Sequence, residues 1–152
     1  MIFYIGLYAI LNYLSLSAKN SSEAFFWAKL IIFSAVPQGL LFFFFVNTFP
    51  RSNFIFNKKL QISLIIWAVI NLILASQNLI FADVAIIGNQ PSIIPGPAIS
   101  LFGLFQGITV IGGSIVLLRK YLRANGLLKQ QLQYITAGII LSFALMLLST
   151  FI

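Results

Sequence analysis

The chain alternates between long apolar segments and short polar or proline-containing connections. Five apolar segments are long enough to cross a bilayer as helices, because about twenty residues span a ~30 Å hydrocarbon core. The predicted spans cover residues 1–18, 22–49, 60–81, 98–118 and 132–152. Ser21 or Ser22 is the expected cap of the second span, and Pro37 should bend it near its middle. The pattern therefore predicts an all-α polytopic membrane bundle with five transmembrane helices.

The connections between the spans predict how the bundle is oriented. Residues 82–97 contain three prolines and two glycines, which favours turns over helix. With five spans, the 50–59 and 119–131 loops share the side of residue 1, and seven Lys and Arg residues fall there against two opposite. The side richer in Lys and Arg is normally cytoplasmic. We therefore expect a multi-pass cell-membrane protein with these basic loops inside and the 82–97 loop outside.

The composition narrows the chemistry that the chain can perform. Hydrophobic residues make up 61% of the chain and charged residues 7%, whereas a soluble domain carries about 25% charge. There is no His, no Cys, and only two carboxylates, Glu23 and Asp83. The usual metal ligands and general bases are therefore missing, and we expect no metal, no cofactor and no enzymatic activity from this chain by itself.

The net charge of +7 suggests nucleic acid at first sight. However, the basic residues are not accompanied by an aromatic stacking platform or by helix-turn-helix spacing, so we expect no nucleic-acid partner. In a membrane protein such residues instead contact anionic headgroups. We expect Arg119, Lys120 and Arg123 to contact phosphates of the inner leaflet.

Two further groups of residues are candidates for contacts within the membrane. Gly103 and Gly107 form a GxxxG motif, and Ser114 lies two turns farther on, so a neighbouring helix can approach closely. We expect this packing within the chain, with a dimer contact as the alternative. Amides are costly in lipid and should face the interior, where they either bond between helices or line a polar ligand pocket. These amides are Asn12, Gln38, Asn47, Asn71, Gln77 and Gln106.

Several stretches together suggest a family. They are "FFWAKL" at 25–30, Pro37, "FFFFVNTFPR" at 42–51, "PGP" at 95–97 followed by "LFGLF", and a basic loop leading into "GLLKQQLQYITAGIILSF" at 126–143. In these features the chain resembles the N-terminal seven-transmembrane sensory region of sensor histidine kinases. The resemblance covers nearly the whole chain and equates its spans with the second to sixth helices. It implies that residues 1–152 are a single transmembrane sensory domain, a fragment of a longer receptor.

The resemblance also implies a function. The chain would be the membrane-embedded sensory input module of a two-component signal-transduction receptor, relaying a stimulus to a cytoplasmic output domain, typically a histidine kinase. We expect a small-molecule or membrane-derived stimulus, and a homodimer formed through the full-length receptor. The candidate sensing residues are Gln38, Asn71 and Gln106 in the spans and Pro91, Pro95, Gly96 and Pro97 in the outer loop.

A stand-alone multi-pass transporter or channel subunit is the alternative function. Such proteins place charged side chains or broken helices around a site near the middle of the membrane. In this chain only Pro37 and the Gly112–Gly113 pair offer breaks, and the predicted spans carry no charge at mid-membrane. The sequence therefore favours the sensory module.

Overall fold

The structure, a computed structural model, describes residues 2–50, 57–87 and 90–151. These residues form six α-helices, one π-helical turn and one antiparallel pair of strands. The elements are α1 (Ile2–Leu16), α2 (Ser21–Thr48), α3 (Lys58–Ser76), β1 (Phe81–Ile87), β2 (Gln90–Pro95), α4 (Ile99–Gln106), the π-turn (Gly107–Ile111), α5 (Gly112–Arg123) and α6 (Gly126–Phe151).

Helix α2 is the central element of the bundle, since it packs against α1, α3, the π-turn, α5 and both strands. Its N-terminus is capped by Asn20, whose side-chain oxygen accepts a hydrogen bond from the Glu23 backbone N–H at 2.8 Å. The prediction of a Ser21 or Ser22 cap was therefore wrong, because the amide one residue earlier satisfies the free N–H. Pro37 lies inside the helix, which continues to Thr48.

The connection after α3 differs from the prediction. The helix ends at Ser76 rather than near residue 81, and Asn78 has a φ of 61°, which turns the chain out of the helix. Phe81 begins β1, which pairs antiparallel with β2. The prediction that this connection is not helical is confirmed for its described residues, 82–87 and 90–97. They pair as two antiparallel strands because the segment is rich in β-branched residues, which favour strands.

The predicted loop 119–131 is mostly helical. Helix α5 runs to Arg123 and α6 begins at Gly126, so only two residues separate them. Arg, Lys and Gln are good helix formers, which allows both helices to extend beyond their apolar parts. Gly126 has a φ of +59° at this junction, a backbone conformation that glycine tolerates and that strains other residues.

The prediction of five transmembrane helices is supported for three of them. Three apolar stretches in the described part of the chain are long enough to cross a membrane: Ser21–Thr48, Lys58–Ser76 and Ile99–Arg123. Helix α1 has 15 residues and so extends only about 22 Å, less than a ~30 Å hydrocarbon core. Large apolar side chains point outward, as at Leu104 (58% exposed) and Ile111 (62%), which suits contact with lipid.

Candidate sensing site in the bundle interior

Polar side chains lie in the interior of the bundle, opposite the apolar outer surface. Asn71 and Thr109 are completely buried. Asn71 Nδ2 donates to the Trp67 carbonyl oxygen at 2.9 Å, and Thr109 Oγ1 donates to the Phe105 carbonyl oxygen at 2.8 Å. Each bond joins a side chain to its own helix one turn earlier. The Asn71 side-chain N–H group therefore bonds within its own helix. It does not form the interhelical hydrogen bond that was one of the two roles predicted for this amide.

Three amide oxygens in this interior are buried without a hydrogen-bond partner in the described structure. They are Gln38 Oε1 on α2, Asn71 Oδ1 on α3 and Gln106 Oε1 on α4. A buried acceptor that forms no hydrogen bond costs roughly 1–3 kcal/mol. A ligand carrying N–H or O–H donors would remove that cost. The predicted sensing amides are thus three acceptors able to receive such a ligand.

Gln106 lies directly against α2. A Cβ atom placed on Gly39 would come within 2.5 Å of Gln106 Oε1 and 2.8 Å of Thr109 Oγ1. The absence of a side chain at Gly39 thus allows the two polar groups to reach the α2 backbone, next in sequence to Gln38. Sequence reasoning missed both Gly39 and Thr109, because neither belongs to a motif that distinguishes it from other small or β-branched residues in apolar spans.

Helix α3 joins this region through aromatic packing. The Trp67 and Phe105 rings meet edge to face, with their centroids 5.7 Å apart. Phe105 precedes Gln106, and Trp67 lies one turn before Asn71. Ile32, Val36 and Ala68 belong to the same apolar cluster as Phe105. The three helices that carry the predicted sensing amides therefore share one core.

The long helix from Ile99 to Arg123 changes its winding immediately after Gln106. Residues Gly107–Ile111 form a single π-helical turn that contains the buried Thr109. π-turns are rare in proteins overall, but those that occur are often located at functional sites. The sequence predicted a possible helix break at Gly112–Gly113, and in the structure the π-turn lies directly before that pair. The winding change thus coincides with the contact between Gln106 and α2.

The hairpin, predicted to lie on the outer side, is anchored to the same core at its base. The Gly96 N–H donates to the Ile80 carbonyl oxygen at 2.8 Å, and a Cβ on Gly96 would collide with the Leu79 carbonyl oxygen. Pro91 and Pro95 lie within β2, and Pro97 is exposed in the turn before α4. Ile80 and Ala98 pack in the cluster that contains Phe105. A displacement of the hairpin would therefore move the start of α4, which lies two turns before Gln106.

The predicted GxxxG face does not contact another described helix. A Cβ on Gly103 or Gly107 would meet no atom within 4 Å, and Ser114 is exposed. By contrast, a Cβ on Gly113 would come within 2.8 Å of the Phe42 ring. The close approach to α2 thus occurs at Gly39 and Gly113. Helix packing on the Gly103 face stays a prediction, and its partner must lie outside the described helices.

At the opposite end of the bundle, Lys120 fixes α5 to α2. Its ammonium group donates to the carbonyl oxygens of Val46 at 2.6 Å, Asn47 at 3.2 Å and Phe49 at 2.5 Å. Val46 and Asn47 belong to the last turn of α2 and Phe49 follows it as the C-cap, so these carbonyls have no partner within the helix. Lys120 therefore caps α2, while the predicted lipid contacts of its neighbours Arg119 and Arg123 stay predictions.

The fold and the site define a polytopic helical membrane protein with an apolar surface and an apolar core in which a few polar side chains are buried. The family model described as the N-terminal 7TM region of histidine kinase matches residues 1–152, and the chain belongs to this family. The resemblance seen in the sequence is thereby confirmed. The region is a sensory part of such proteins and not their catalytic part. No curated protein and no solved structure shows a significant match.

Proposed function

We propose that residues 1–152 form the sensory input module of a histidine kinase receptor and relay a stimulus from the outer half of the bundle to a cytoplasmic output domain. The observation that carries the proposal is the set of unpartnered acceptors at Gln38, Asn71 and Gln106 in the described interior. They lie on three helices that share one apolar core. A stimulus with hydrogen-bond donors would bind there, or would act on the hairpin residues Pro91–Pro97 above it.

The relay follows from the connections between these elements. A ligand shifts the bundle between two packings only by the difference in its affinity for them. The packing around Gln106 is coupled to the π-turn, and the π-turn continues directly into α5. Helix α5 is fixed to the C-terminal end of α2 by Lys120. A change in winding after Gln106 would therefore rotate or shift α5 and α2 at the basic end, which we assign to the cytoplasm.

Replacing the three amides by apolar side chains of similar size tests the sensing site. Gln38→Met, Asn71→Leu and Gln106→Met each remove one unpartnered oxygen with little change in volume. In the full-length gene product in native membranes, we expect autophosphorylation with ATP to change about fivefold or more and to lose its variation across growth conditions. Gln133→Met, on the exposed surface of α6, is the matched control and should leave both unchanged.

The outcome also separates this function from the alternative. Unchanged autophosphorylation in all three variants would remove the amides from the sensing mechanism. A reading frame that encodes no histidine-containing dimerisation helix downstream would remove the receptor function altogether. The second result would favour a stand-alone transporter or channel subunit, for which the π-turn next to the Gly112–Gly113 pair supplies a helix irregularity.

A further inference from the structure

A cavity of about 540 Å³ lies at the basic end of the bundle, where the end of α2 meets the junction of α5 and α6. Arg119 and Arg123 line it together with the apolar side chains of Val116, Leu128 and Leu132. The two arginines are exposed, whereas Leu132 is completely buried. The cavity therefore joins a cationic rim to an apolar floor, which is the combination that a lipid headgroup and its chains present.

Among the residues that the structure describes, no anionic side chain lies within reach of the two arginines. They lie four residues apart on α5, hence on the same face, where like charges repel each other. The chain has only two carboxylates, Glu23 and Asp83. Glu23 is in the first turn of α2, about 35 Å from the cavity end at ~1.5 Å per residue. Asp83 lies in β1, which packs on that same distant end through Val84.

The neighbouring Lys120 does not compete for an anion at this site. An ammonium group has three donors, and the three carbonyl oxygens at the end of α2 accept them. This contact orients α5 so that Arg119 and Arg123 line the cavity beside the last turn of α2. Within the described residues, neither arginine forms a hydrogen bond or an ion pair. Two guanidinium groups are thus available for an external anion.

Asn47 adds a second polar contact inside the cavity. It lines the cavity and is 1% exposed. Its Nδ2 donates to the Phe43 carbonyl oxygen at 2.7 Å, whereas its Oδ1 is buried without a partner in the described structure. An unpartnered oxygen accepts a hydrogen bond from an N–H or O–H group of a ligand. The cavity therefore offers charge for an anion and an acceptor for a hydroxyl.

We propose that this cavity binds the headgroup of an anionic phospholipid with a free hydroxyl, the chemistry of phosphatidylglycerol. The phosphodiester pairs with Arg119 and Arg123, since guanidinium groups bind phosphate oxygens in pairs. The headgroup hydroxyl donates to Asn47 Oδ1. The acyl chains extend from the cavity along exposed apolar side chains of α5 that precede the arginines, Ile115 (47% exposed) and Leu118 (52%). This inference does not depend on the proposed sensory function.

Binding of defined lipids to the delipidated full-length protein in detergent tests the proposal. The probes are phosphatidylglycerol, phosphatidylmethanol, which is anionic without a free hydroxyl, phosphatidylcholine and inorganic phosphate, with native mass spectrometry as readout. We expect phosphatidylglycerol to bind best. The double variant Arg119→Gln/Arg123→Gln should bind both anionic lipids with an affinity lower by about tenfold or more. Lys58→Gln with Lys59→Gln removes the same charge at exposed positions outside the cavity and should change little.

The Asn47→Leu variant tests the hydroxyl contact separately. It should abolish the preference for phosphatidylglycerol over phosphatidylmethanol while both still bind better than phosphatidylcholine. Equal weakening by the two double variants would show only a nonspecific charge effect and would overturn the site. If inorganic phosphate displaced bound lipid as effectively as phosphatidylglycerol does, the cavity would be a free-phosphate site and the lipid assignment would be overturned. A preference that persists in Asn47→Leu would overturn the role of Asn47.

Discussion

Gly39 is the residue at which α2 contacts the end of α4. Gln106 Oε1 and Thr109 Oγ1 occupy the space that a side chain at this position would need. Thr109 is held by its bonds to the Phe105 and Gln106 carbonyl oxygens. The hydroxyl therefore has little freedom to move away, and a larger residue at Gly39 would push the π-turn away from α2.

Gly39→Ala should destabilise the bundle for this reason. We expect a loss of about 1–3 kcal/mol, the usual cost of overpacking a core, measured as a lower unfolding temperature in detergent. The matched control is Gly138→Ala in α6, where the added methyl group meets no atom within 4 Å. It should be neutral or stabilising, since alanine is favoured over glycine in helices by roughly 0.5–1 kcal/mol. Equal destabilisation by both variants would contradict the contact.

The sequence predicted which polar residues are candidates for the interior, but not which glycines contact a neighbour. Apolar content all round the spans indicates that amides should turn inward, and Gln38, Asn71 and Gln106 do carry buried oxygens. The glycine spacing in α4 assumes a regular helix. A π-turn holds more residues per turn, so each residue after it is rotated relative to α-helical spacing. Gly113 therefore faces Phe42, whereas Ser114 is exposed.

Among the elements, the hairpin docks on the start of α2 through the side chain of Val84. Val84 in β1 is 2% exposed and packs against Ala24 and Ala28 near the start of α2. Two-stranded hairpins are marginally stable alone, so this contact supplies stability that the strand pairing does not. The proline-rich composition predicted a non-helical connection here. It did not predict the docking, because small residues on α2 and one valine in a loop carry no periodic signal.

Val84→Asp should detach the hairpin from α2. A carboxylate at this buried position would be desolvated without compensation, because the cluster side chains around it, Ala24 and Ala28, carry no cation and no hydrogen-bond donor. We expect faster amide hydrogen exchange across residues 81–95, with α3 unchanged. Ala82→Asp, two residues away and exposed, is the matched control. Equal exchange in the two variants would mean that Val84 does not hold the hairpin.

Across the whole molecule, the charged and the extended parts lie at opposite ends of α2. The hairpin packs near its N-terminus through Val84, and Lys120 binds the carbonyls at its C-terminus. The sequence predicted this separation from spans and loop charges alone, even though α1 is shorter than predicted and α3 ends earlier. Those errors are at helix ends, where polar residues extend a helix and a turn shortens it. They do not change which loops lie at the same end of the bundle.

The orientation of the bundle in the membrane can be tested by labelling single introduced cysteines, because residues 1–152 contain no cysteine that would give background labelling. Ser92→Cys places a thiol on the exposed strand of the hairpin, and Asn125→Cys places one between α5 and α6. Since most Lys and Arg residues lie at the α5–α6 end, we expect that end in the cytoplasm. A membrane-impermeant maleimide should label the Ser92→Cys variant in intact cells and the Asn125→Cys variant only after lysis. The reverse pattern would place the basic end, and with it the lipid cavity, at the outer face.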